Sequence, residues 1–353
     1  MLRTRSVRVL GAGSLKISLL LCAYNEEQTI EETLRSILSQ TVKPDEVIVV
    51  NDGSTDRTAE ILRKFENECI VVHLRENTGN KAKAQMMGLR YATGNLVAFT
   101  DADTRLDLKF LENGLPYFLD TLVGGVSGHV LSEKRNWLTS VRQIQYTIWQ
   151  SLYKRGMSEL DSIMVIPGAA GIVRRELFSA SFDTVTEDMD MTLRINELGY
   201  KVVYARDAKA YTNDPTDLES YVRQTTRWYA GYFQNIKKHF RFVPIRMKVQ
   251  MTIPFLETFP TLGGWLMLVA ALLCSMNPIP LSVFVFNVIA IESFVIYGVM
   301  RLSGRDLLAQ IPPYFFVRII DTCVWLKCMI NELILGKREL RWLRADRSLS
   351  LSG

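Results

Sequence analysis

Cysteine is scarce and scattered in this sequence. The five cysteines are odd in number and never form a C-x-x-C pair: Cys22, Cys69, Cys274, Cys323 and Cys328. A disulfide framework needs an even set of paired cysteines, and a zinc site needs clustered ones. The pattern therefore argues against both and indicates a reducing compartment.

The sequence also has little that would indicate secretion or nucleic-acid binding. Its first fifteen residues carry charge but no apolar core as long as that of a signal peptide, so we expect the globular part on the cytoplasmic side. The formal net charge of +5 is too small to imply nucleic-acid binding by itself. Apolar residues make up 48% of the chain and are densest after residue 250.

Short apolar runs alternate with helical patterns over the first hundred residues. The runs predict buried strands at 16–22, 46–50, 69–74 and 95–101, and the helical patterns lie at 28–39, 57–67 and 81–91. This alternation is typical of an α/β domain whose parallel sheet is covered on both faces. Ligands of such sheets bind outside the carboxyl ends of the strands. We therefore expect Ala23, Tyr24, Asp52 and Asp101, which follow three of these strands, on one rim.

Two aspartates one residue apart, Asp101 and Asp103, end the fourth predicted strand. In a strand such residues point to the same face, so both carboxylates could reach one hard divalent cation. A cation held by only two carboxylates keeps positions open for phosphate oxygens. Taken alone, the pattern is more typical of a solvated turn. A calcium loop is excluded because Arg105 and Leu106 stand where that loop needs an acid and a glycine.

Four motifs occur in one order along the chain. They are Asp52-Gly-Ser after a strand, the Asp101/Asp103 pair, Thr186-Glu-Asp188 and Gln224-x-x-Arg-Trp228. Together they resemble the family 2 inverting glycosyltransferases, and in particular the membrane-embedded branch that includes cellulose, chitin, hyaluronan and poly-N-acetylglucosamine synthases. The resemblance runs from about Lys16 to Trp228. It implies a GT-A fold with a Rossmann-like, mostly parallel sheet.

The resemblance also implies a site for a nucleotide sugar. Asp52 matches an aspartate that contacts the uracil edge, and a carboxylate can accept the imide N–H of that base. Ala23, Tyr24 and Glu26 match the first nucleotide loop of the family. Lys81 matches a lysine that lies over the nucleotide, where its charge would offset the diphosphate. The structural alternatives are an ordinary turn aspartate, a helix-capping Glu26 and a surface lysine.

Asp188 matches the catalytic base of the family. An inverting transfer needs one carboxylate to take the proton from the acceptor hydroxyl as that oxygen attacks the anomeric carbon. Mg²⁺ or Mn²⁺ at Asp101 and Asp103 would stabilise the departing diphosphate, so that no protein acid is required. Glu187 is the competing base. Two acids that only stabilise a helix N-terminus are the structural alternative.

Gln224, Arg227 and Trp228 share one face if their segment is helical. The resemblance places Gln224 and Arg227 at the nucleotide sugar, where the guanidinium could bind the diphosphate. Trp228 offers a flat apolar wall for an acceptor sugar, although an aromatic residue on a helix is ordinarily part of the core. Gly168, in the small-residue turn 167–171, matches the acceptor site and would let a sugar approach the backbone.

The last third of the sequence is dominated by apolar stretches. Residues 253–276 and 281–300 are each about as long as a bilayer span, and the turn 277–280 joins them into a predicted transmembrane hairpin. Basic residues flank both ends, which places both ends in the cytoplasm. A third stretch, 307–335, contains internal charges and precedes a basic tail. We interpret it as an interfacial amphipathic helix, with a third span as the alternative, and buried soluble helices as the alternative to the hairpin.

Four regions are therefore predicted. They are an N-terminal tail at 1–15, a cytoplasmic GT-A domain at 16–240, a transmembrane hairpin at 241–306, and an interfacial or third membrane helix with a basic tail at 307–353. We expect a multi-pass cell-membrane protein whose catalytic domain is cytoplasmic.

The expected function is inverting transfer of a sugar from a nucleoside-diphosphate sugar, UDP-linked by the Asp52 match, to a glycan or lipid-linked acceptor. Synthases that extrude polymers generally have more spans than the two predicted here. Either an oligomer completes a channel, or transfer stops after one or a few sugars. Transfer of a single sugar to a polyprenyl phosphate or glycolipid, and an inactive membrane scaffold, are the alternatives.

Overall fold

The computed structural model describes residues 15–273, 279–282, 297–298, 301 and 305–338 of the 353-residue chain. The chain divides into two compact units. The first comprises Met1–His129, Val165–Phe182 and Arg194–Tyr211, and the second comprises Val130–Met164, Asp183–Leu193 and Thr212–Gly353. The predicted residue boundaries of the four regions stay a prediction.

An eight-stranded sheet forms the centre of the first unit. Its strands are β1 (Ile17–Ala23), β2 (Glu46–Asn51), β3 (Ile70–His73), β4 (Leu96–Asp101), β5 (Thr104–Leu106), β6 (Val123–Ser132), β7 (Gly171–Arg174) and β8 (Lys201–Thr212). Their order across the sheet is β3-β2-β1-β4-β7-β6-β8-β5.

Strands β1 to β4, which the apolar runs of the sequence predict, form the parallel half of the sheet. β1 pairs in parallel with both β2 and β4, and β2 pairs in parallel with β3. Leu19, Leu21, Ile48 and Val50 are completely buried, as expected where both faces of a parallel sheet are covered. Beyond β4 the sheet is mixed, because β7 runs antiparallel to β4 and to β6.

Helices α1 (Ile30–Leu38), α2 (Thr58–Arg63), α3 (Lys81–Leu89) and α4 (Phe110–Gly114) connect the strands of the first unit. Helix α3 lies closely against the sheet, since a Cβ on Gly88 would stand 2.7 Å from a methyl group of Val50. It begins at Lys81 because the Asn80 side chain accepts a hydrogen bond from the backbone N–H of Ala82 at 2.8 Å.

The second unit is helical. Its helices are α5 (Trp137–Ile148), α6 (Arg155–Glu159), the start of α7 (Glu187–Glu197), α8 (Leu218–His239), α9 (Ile245–Leu273) and α10 (Ile311–Met329). A capping box between Asn136 and Thr139 begins α5. A π-helical stretch, Trp149–Lys154, links α5 to α6, so this helical segment changes its hydrogen-bonding pattern near its end.

Two apolar clusters hold α10 against its neighbours in the second unit. In one, Tyr314 and Val317 join Val141 and Ile144 of α5. In the other, Val324 and Trp325 join residues of α8, and the Trp325 ring meets the Phe233 ring edge-on with centroids 5.1 Å apart. Because both clusters are well buried, α10 is part of the core of this unit along one of its faces.

Two C-terminal helical segments are long and apolar enough to cross a membrane: Ile245–Leu273, with 29 residues, and Leu307–Ile334, with 28. This is weak evidence for spans, because core helices of soluble proteins meet the same criteria. The first matches the first arm of the predicted hairpin. Most of the second arm, 281–300, and the first half of the turn before it, 277–278, lie outside the described residues.

Candidate active site

The carboxyl ends of three neighbouring strands form one rim in the first unit. In the sheet register Ala23 lies beside Asn51, and Cys22 lies beside Asp101. The backbone N–H of Asp52 donates a hydrogen bond to the carbonyl of Ala23 at 2.9 Å. The prediction that these polar positions share a rim is therefore confirmed.

Asp101 and Asp103 do not lie in one strand as predicted. Strand β4 ends at Asp101, and Asp103 lies in the turn before β5. The side chain of Asp101 is 33% exposed, whereas Asp103 is only 4% exposed. Thr104 Oγ1 donates a hydrogen bond to Asp103 Oδ1 at 3.3 Å. A turn, and not strand alternation, therefore sets the relative orientation of the two carboxylates.

Asp101 lies beside a cation and a residue that has no side chain. The Lys81 ammonium contacts Asp101 Oδ1 in an ion pair. A Cβ on Gly168 would stand 2.8 Å from Lys81 Nζ and 3.5 Å from Asp101 Oδ1, so glycine keeps this corner open. The carboxylate thus already binds a positive charge at the edge of a space that a larger side chain would fill.

The donor set at this corner fits a hard divalent cation. Within the described ranges, no group of three or more His, Cys, Asp or Glu side chains is placed to hold a metal ion. Asp101 and Asp103 supply carboxylate oxygens, the ligands preferred by Mg²⁺ and also suited to Mn²⁺. Two such ligands suit an ion that takes its remaining ligands from water and phosphate.

Asp52 holds the loop that leads into α3. Its carboxylate accepts hydrogen bonds from the backbone N–H of Thr78 at 3.0 Å, from Thr78 Oγ1 at 2.9 Å and from Asn77 Nδ2 at 3.3 Å. The residue is 6% exposed. These bonds fix the loop just before Lys81, a role that sequence reasoning missed because the partners follow 25 and 26 residues later. The contact of Asp52 with uracil stays a prediction.

Tyr24 and Glu26 lie in the loop after β1, which is tied to the loop after β2. The backbone N–H of Asn25 donates to Ser54 Oγ at 3.0 Å, and that of Glu26 donates to Thr58 Oγ1 at 2.8 Å. Thr29 Oγ1 donates to the Glu26 carboxylate at 3.1 Å, just before α1 begins. The Glu26 carboxylate therefore contacts the residue that precedes α1, and its place in the nucleotide loop stays a prediction.

In the second unit, Asp188 lies in the first turn of α7 with Glu187. Its Oδ1 accepts a hydrogen bond from the backbone N–H of Met189 at 2.8 Å. Lys154, which is 3% exposed, is electrostatically coupled to it. Burial lowers the pKa of Lys154 to about 7, although the Asp188 carboxylate acts in the opposite direction. A buried lysine thus accompanies the predicted base, and no sequence motif indicated it.

Helix α8 holds the segment that precedes Asp188. Asn235 Nδ2 donates hydrogen bonds to Thr186 Oγ1 at 2.9 Å and to Thr184 Oγ1 at 3.1 Å. A Cβ on Gly231 would stand 2.8 Å from Thr186 Cβ and closer still to the two atoms beyond it. The absent side chain at Gly231 therefore lets the Thr184–Thr186 segment approach the helix.

Three further contacts attach α8 to α7 and to the segment that precedes it. Gln234 Oε1 accepts a hydrogen bond from the backbone N–H of Val185 at 3.1 Å. Asp190, which is completely buried, pairs with Lys238 Nζ at 2.6 Å and with His239 Nε2 at 2.9 Å. The buried acid is therefore compensated by cationic or hydrogen-bonding partners from the end of α8.

Gln224, Arg227 and Trp228 lie on α8, as predicted. Gln224 is 4% exposed, while Arg227 and Trp228 are half-buried. The guanidinium of Arg142, from α5, donates to Gln224 Oε1 at 3.2 Å, and its Cζ lies 4.7 Å from the centre of the Trp228 ring. Arg142 belongs to none of the four sequence motifs, so sequence analysis did not identify it.

The predicted site residues thus form two groups, each within one unit. Ala23, Tyr24, Glu26, Asp52, Lys81, Asp101, Asp103 and Gly168 belong to the first unit, and Asp188, Gln224, Arg227 and Trp228 belong to the second.

Residues 18–182 match the model of the family described as Glycosyl transferase family 2. The chain contains a glycosyl transferase family 2 domain. The resemblance noted in the sequence is therefore confirmed. This family 2 domain includes all eight site residues of the first unit, from Ala23 to Gly168.

A similar curated protein is the poly-beta-1,6-N-acetyl-D-glucosamine synthase of Staphylococcus aureus. It is 30% identical over 237 residues, which are 64% of this chain and 56% of the synthase. The chain thus matches little more than half the length of that relative. The segment that aligns with this synthase is longer than the segment 18–182 that matches the family model.

Solved structures share the fold. A mannosyltransferase from Pyrobaculum calidifontis, solved in complex with GDP-Man and Mn²⁺, superposes with a TM-score of 0.63 at 22% identity, over 90% of this chain and 87% of that one. TarS 1-349 of S. aureus, solved in complex with UDP, superposes with a TM-score of 0.51 at 20% identity, over 90% and 91%. The family 2 domain therefore has the mostly parallel, GT-A-like core that the motifs predicted.

Proposed function

We propose that this chain is a membrane-bound, metal-dependent inverting glycosyltransferase, a hexosyltransferase that moves a sugar from a nucleoside-diphosphate sugar to a glycan or lipid-linked glycan. One observation carries the proposal: the Lys81 ammonium contacts Asp101 beside Gly168, at the carboxyl ends of the parallel strands. A cation, a carboxylate and open backbone at this rim are what a diphosphate and its metal ion require.

Asp101 and Asp103 would hold Mg²⁺ or Mn²⁺. When bound there, the cation would neutralise charge on the departing diphosphate. Lys81 would add a second positive charge on the diphosphate side, and helix α3, which begins at Lys81, would contribute its N-terminal backbone dipole. The Mn²⁺ named for the Pyrobaculum mannosyltransferase supports testing that ion first.

Asp188 would take the proton from the acceptor hydroxyl, with Glu187 as the competing assignment. The hydrogen bond from the Met189 N–H orients the Asp188 carboxylate, and the attachment of Thr186 to α8 holds the backbone that precedes α7. A base must be held in a fixed place to abstract a proton within hydrogen-bonding distance. Trp228 would form the wall against which the acceptor sugar stacks, and Gln224 and Arg227 would contact the nucleotide sugar.

The donor is proposed to be a UDP-sugar, because Asp52 matches a uracil-contacting position and TarS was solved with UDP. The name of the Staphylococcus aureus relative makes N-acetylglucosamine the first sugar to test. GDP-mannose belongs in the same test because the Pyrobaculum structure contains GDP-Man. Asp52 in its folded position already binds the 77–78 loop, so a uracil contact would have to share its carboxylate.

The proposed membrane arrangement combines the first apolar helix with α10. Helix α9 presents large apolar side chains to its surroundings, as a bilayer span would: Leu256, Leu266, Val269, Leu272 and Leu273. In α10, Asp321 accepts a hydrogen bond from Tyr221 at 2.7 Å, while Phe316 and Ile319 are exposed. A helix that is docked along one face, where its contacts include the Asp321 carboxylate, and that exposes apolar side chains elsewhere supports an interfacial helix over a third span.

Two other functions remain to be distinguished from this one. Transfer of a single sugar to a polyprenyl phosphate would need no wall for an acceptor sugar, so the half-buried Trp228 on α8 favours a glycan acceptor. An inactive scaffold would have no need of Asp101, Asp103 and Asp188 together. Oligomerisation is proposed only for the case in which the product is an extruded polymer.

The test is direct. The purified full-length chain in detergent is incubated with radiolabelled UDP-N-acetylglucosamine, UDP-glucose or GDP-mannose, with Mn²⁺, with Mg²⁺ or with chelator. The label is then sought in polymer and in lipid extract. We expect transfer from a UDP-sugar that needs the metal ion and is lost in Asp101→Asn. Transfer that persists undiminished in chelator would refute the metal site, and no transfer from any of the three donors would refute the function.

A further inference from the structure

We infer that Arg142 is a positioning residue that acts through Trp228 on the proposed acceptor wall and through Gln224 on the proposed nucleotide-sugar contact. The inference rests on the proposed function, which assigns those two residues to sugar binding. Arg142 lies in α5, far in sequence from both, and is 4% exposed. A guanidinium buried this deeply is costly unless it is paired and hydrogen-bonded, so its contacts define its role.

The contact with Gln224 decides which way that amide points. Arg142 Nη2 lies 3.2 Å from Gln224 Oε1. A guanidinium carries only donors, so the Gln224 group that faces it must be the carbonyl oxygen. The NH₂ group of Gln224 is then directed away from Arg142. The amide thus presents two donors on its other side, the polarity needed to bind sugar hydroxyl or phosphate oxygens.

The contact with Trp228 occupies one face of the indole ring. Arg142 Cζ lies 4.7 Å from the ring centroid, within the range of a cation–π interaction. A planar guanidinium can stack on that face and still donate in its own plane, which an ammonium cannot do. With one face covered and the residue half-buried, an acceptor sugar must use the opposite face. Arg142 would therefore set the plane of the proposed acceptor wall.

Arg142 is itself held rigidly. Its Nε lies 3.4 Å from Asp214 Oδ1, and Nη1 donates to Gln145 Oε1 at 2.8 Å. Tyr146 accepts from Nη2 at 3.2 Å and donates to Asp214 Oδ1 at 3.1 Å. Asp214 is 2% exposed, so both charges of the pair are buried and compensate each other. The guanidinium is thus oriented by three side chains before it orients Gln224 and Trp228.

The experiment compares Arg142→Lys with Arg135→Lys, a matched change in an arginine that contacts Glu133 and Asn213 and neither motif residue. Transfer from labelled UDP-N-acetylglucosamine to an oligomer of N-acetylglucosamine gives kcat and the acceptor KM at saturating donor. Size-exclusion chromatography in detergent confirms that each variant is folded. We expect Arg142→Lys to raise the acceptor KM at least tenfold, and Arg135→Lys to leave it within twofold.

Two further measurements separate positioning from a merely structural role. If Arg142 acts through Trp228, the effects of Arg142→Lys and Trp228→Leu on the acceptor KM are not additive in the double variant. The emission of Trp228 is the part of the tryptophan fluorescence that is lost in Trp228→Phe. Acrylamide should quench this emission more strongly in Arg142→Lys, because the Trp228 ring becomes more accessible. If neither the acceptor KM nor the quenching changes, the inference is wrong.

If the unmodified protein neither binds nor transfers a sugar, the proposed function is wrong. The quenching comparison then still decides whether Arg142 positions Trp228. For the case that Arg142→Lys does not fold, Arg142→Met with Asp214→Asn removes both buried charges together. The same kinetic and quenching outcomes are expected of that pair, and unchanged values in it would overturn the inference.

Discussion

Asn235 donates a hydrogen bond to the side chain of Thr186 at 2.9 Å, across 49 residues of sequence. Asn235 belongs to α8, the helix that also carries Gln224, Arg227 and Trp228, and Thr186 directly precedes the two candidate bases. One helix therefore bears the predicted sugar-binding side chains and also holds the segment that presents Asp188.

Asn235→Ala should lower both stability and activity. Because Asn235 is completely buried, its removal leaves Thr184 and Thr186 without their partner, at a cost of about 1–3 kcal/mol. We expect a lower unfolding midpoint in detergent and a lower kcat in the fraction that stays folded. Asn113→Ala, which loses one bond to the Asp207 carbonyl at the surface, is the control and should leave kcat unchanged. Equal kinetics in the two variants would mean that α8 does not position the base.

The resemblance assigned Gly168 to the acceptor site, but its neighbours are Lys81 and Asp101, so we expect Gly168→Ala to weaken donor binding. The added Cβ would stand 2.8 Å from Lys81 Nζ and enter the open corner beside Asp101. We expect the KM for the nucleotide sugar to rise about tenfold, which corresponds to about 1.4 kcal/mol. Gly156→Ala is the matched control, since a Cβ there would meet nothing within 4 Å. A donor KM unchanged by Gly168→Ala would show that the diphosphate does not use this corner.

Asp188→Asn and Glu187→Gln separate the two candidate bases. A general base contributes roughly 10²–10⁴-fold to the rate, so we expect kcat to fall by that factor in the variant that removes the base. Our assignment places the large loss in Asp188→Asn and a change of only a few-fold in Glu187→Gln. Single-turnover transfer measures the chemical step directly. The reverse ranking would transfer the role to Glu187.

Lys154 predicts a pH dependence of stability. The folded protein releases this proton near pH 7, whereas the unfolded chain keeps it up to the ordinary lysine pKa of 10.5. Between these values the unfolded state binds more protons, so this group makes stability rise with pH, by up to about 1.4 kcal/mol per unit. Lys154→Met should therefore flatten the rise in thermal midpoint between pH 7 and 9. The exposed Lys83→Met should not, and an equal slope in all three proteins would contradict the burial of the charge.

Helix α9 should anchor the chain in the membrane. We expect the protein to stay in the membrane pellet after carbonate washing. Leu266→Lys with Leu272→Lys should weaken retention, because a lysine near the centre of a span, as at position 266, costs roughly 2.5–3.5 kcal/mol. Leu119→Lys, an exposed apolar position of the first unit, is the control. Release of the unmodified protein by carbonate would rule out the proposed hairpin.

The strands that position the donor residues could be predicted from sequence because their signal is local. β1, β2 and β4 are continuous apolar runs, such as Leu19–Leu21, that end in polar turns. β8 was not predicted because exposed charges such as Arg206 and Asp207 interrupt its apolar pattern. The turn position of Asp103 was missed for a related reason: periodicity shows where a strand runs but not the residue at which its hydrogen bonding stops.

The motifs indicated which residues form the site, but not what holds them. Arg142 contacts Asp214 and Gln224, which lie 72 and 82 residues further along the chain. In the sequence it stands on an amphipathic helix, where an arginine ordinarily faces solvent. The Asp190–His239 pair likewise joins residues 49 positions apart. Long-range polar contacts of this kind leave no periodic signature, so only the folded chain shows them.

Helix α8 carries the Gln224–Trp228 motif and also holds the 184–190 segment, which limits how this protein could change during evolution or in the laboratory. Exchanging only the Gln224–Trp228 part with that of a relative would leave Gly231, Asn235 and His239 to fit an unaltered 184–190 segment. If the whole helix were exchanged instead, the 184–190 segment would have to come from the same relative as the helix. Acceptor preference should therefore diversify through residues near Trp228, while the last two turns of α8 and the segment they hold are inherited together.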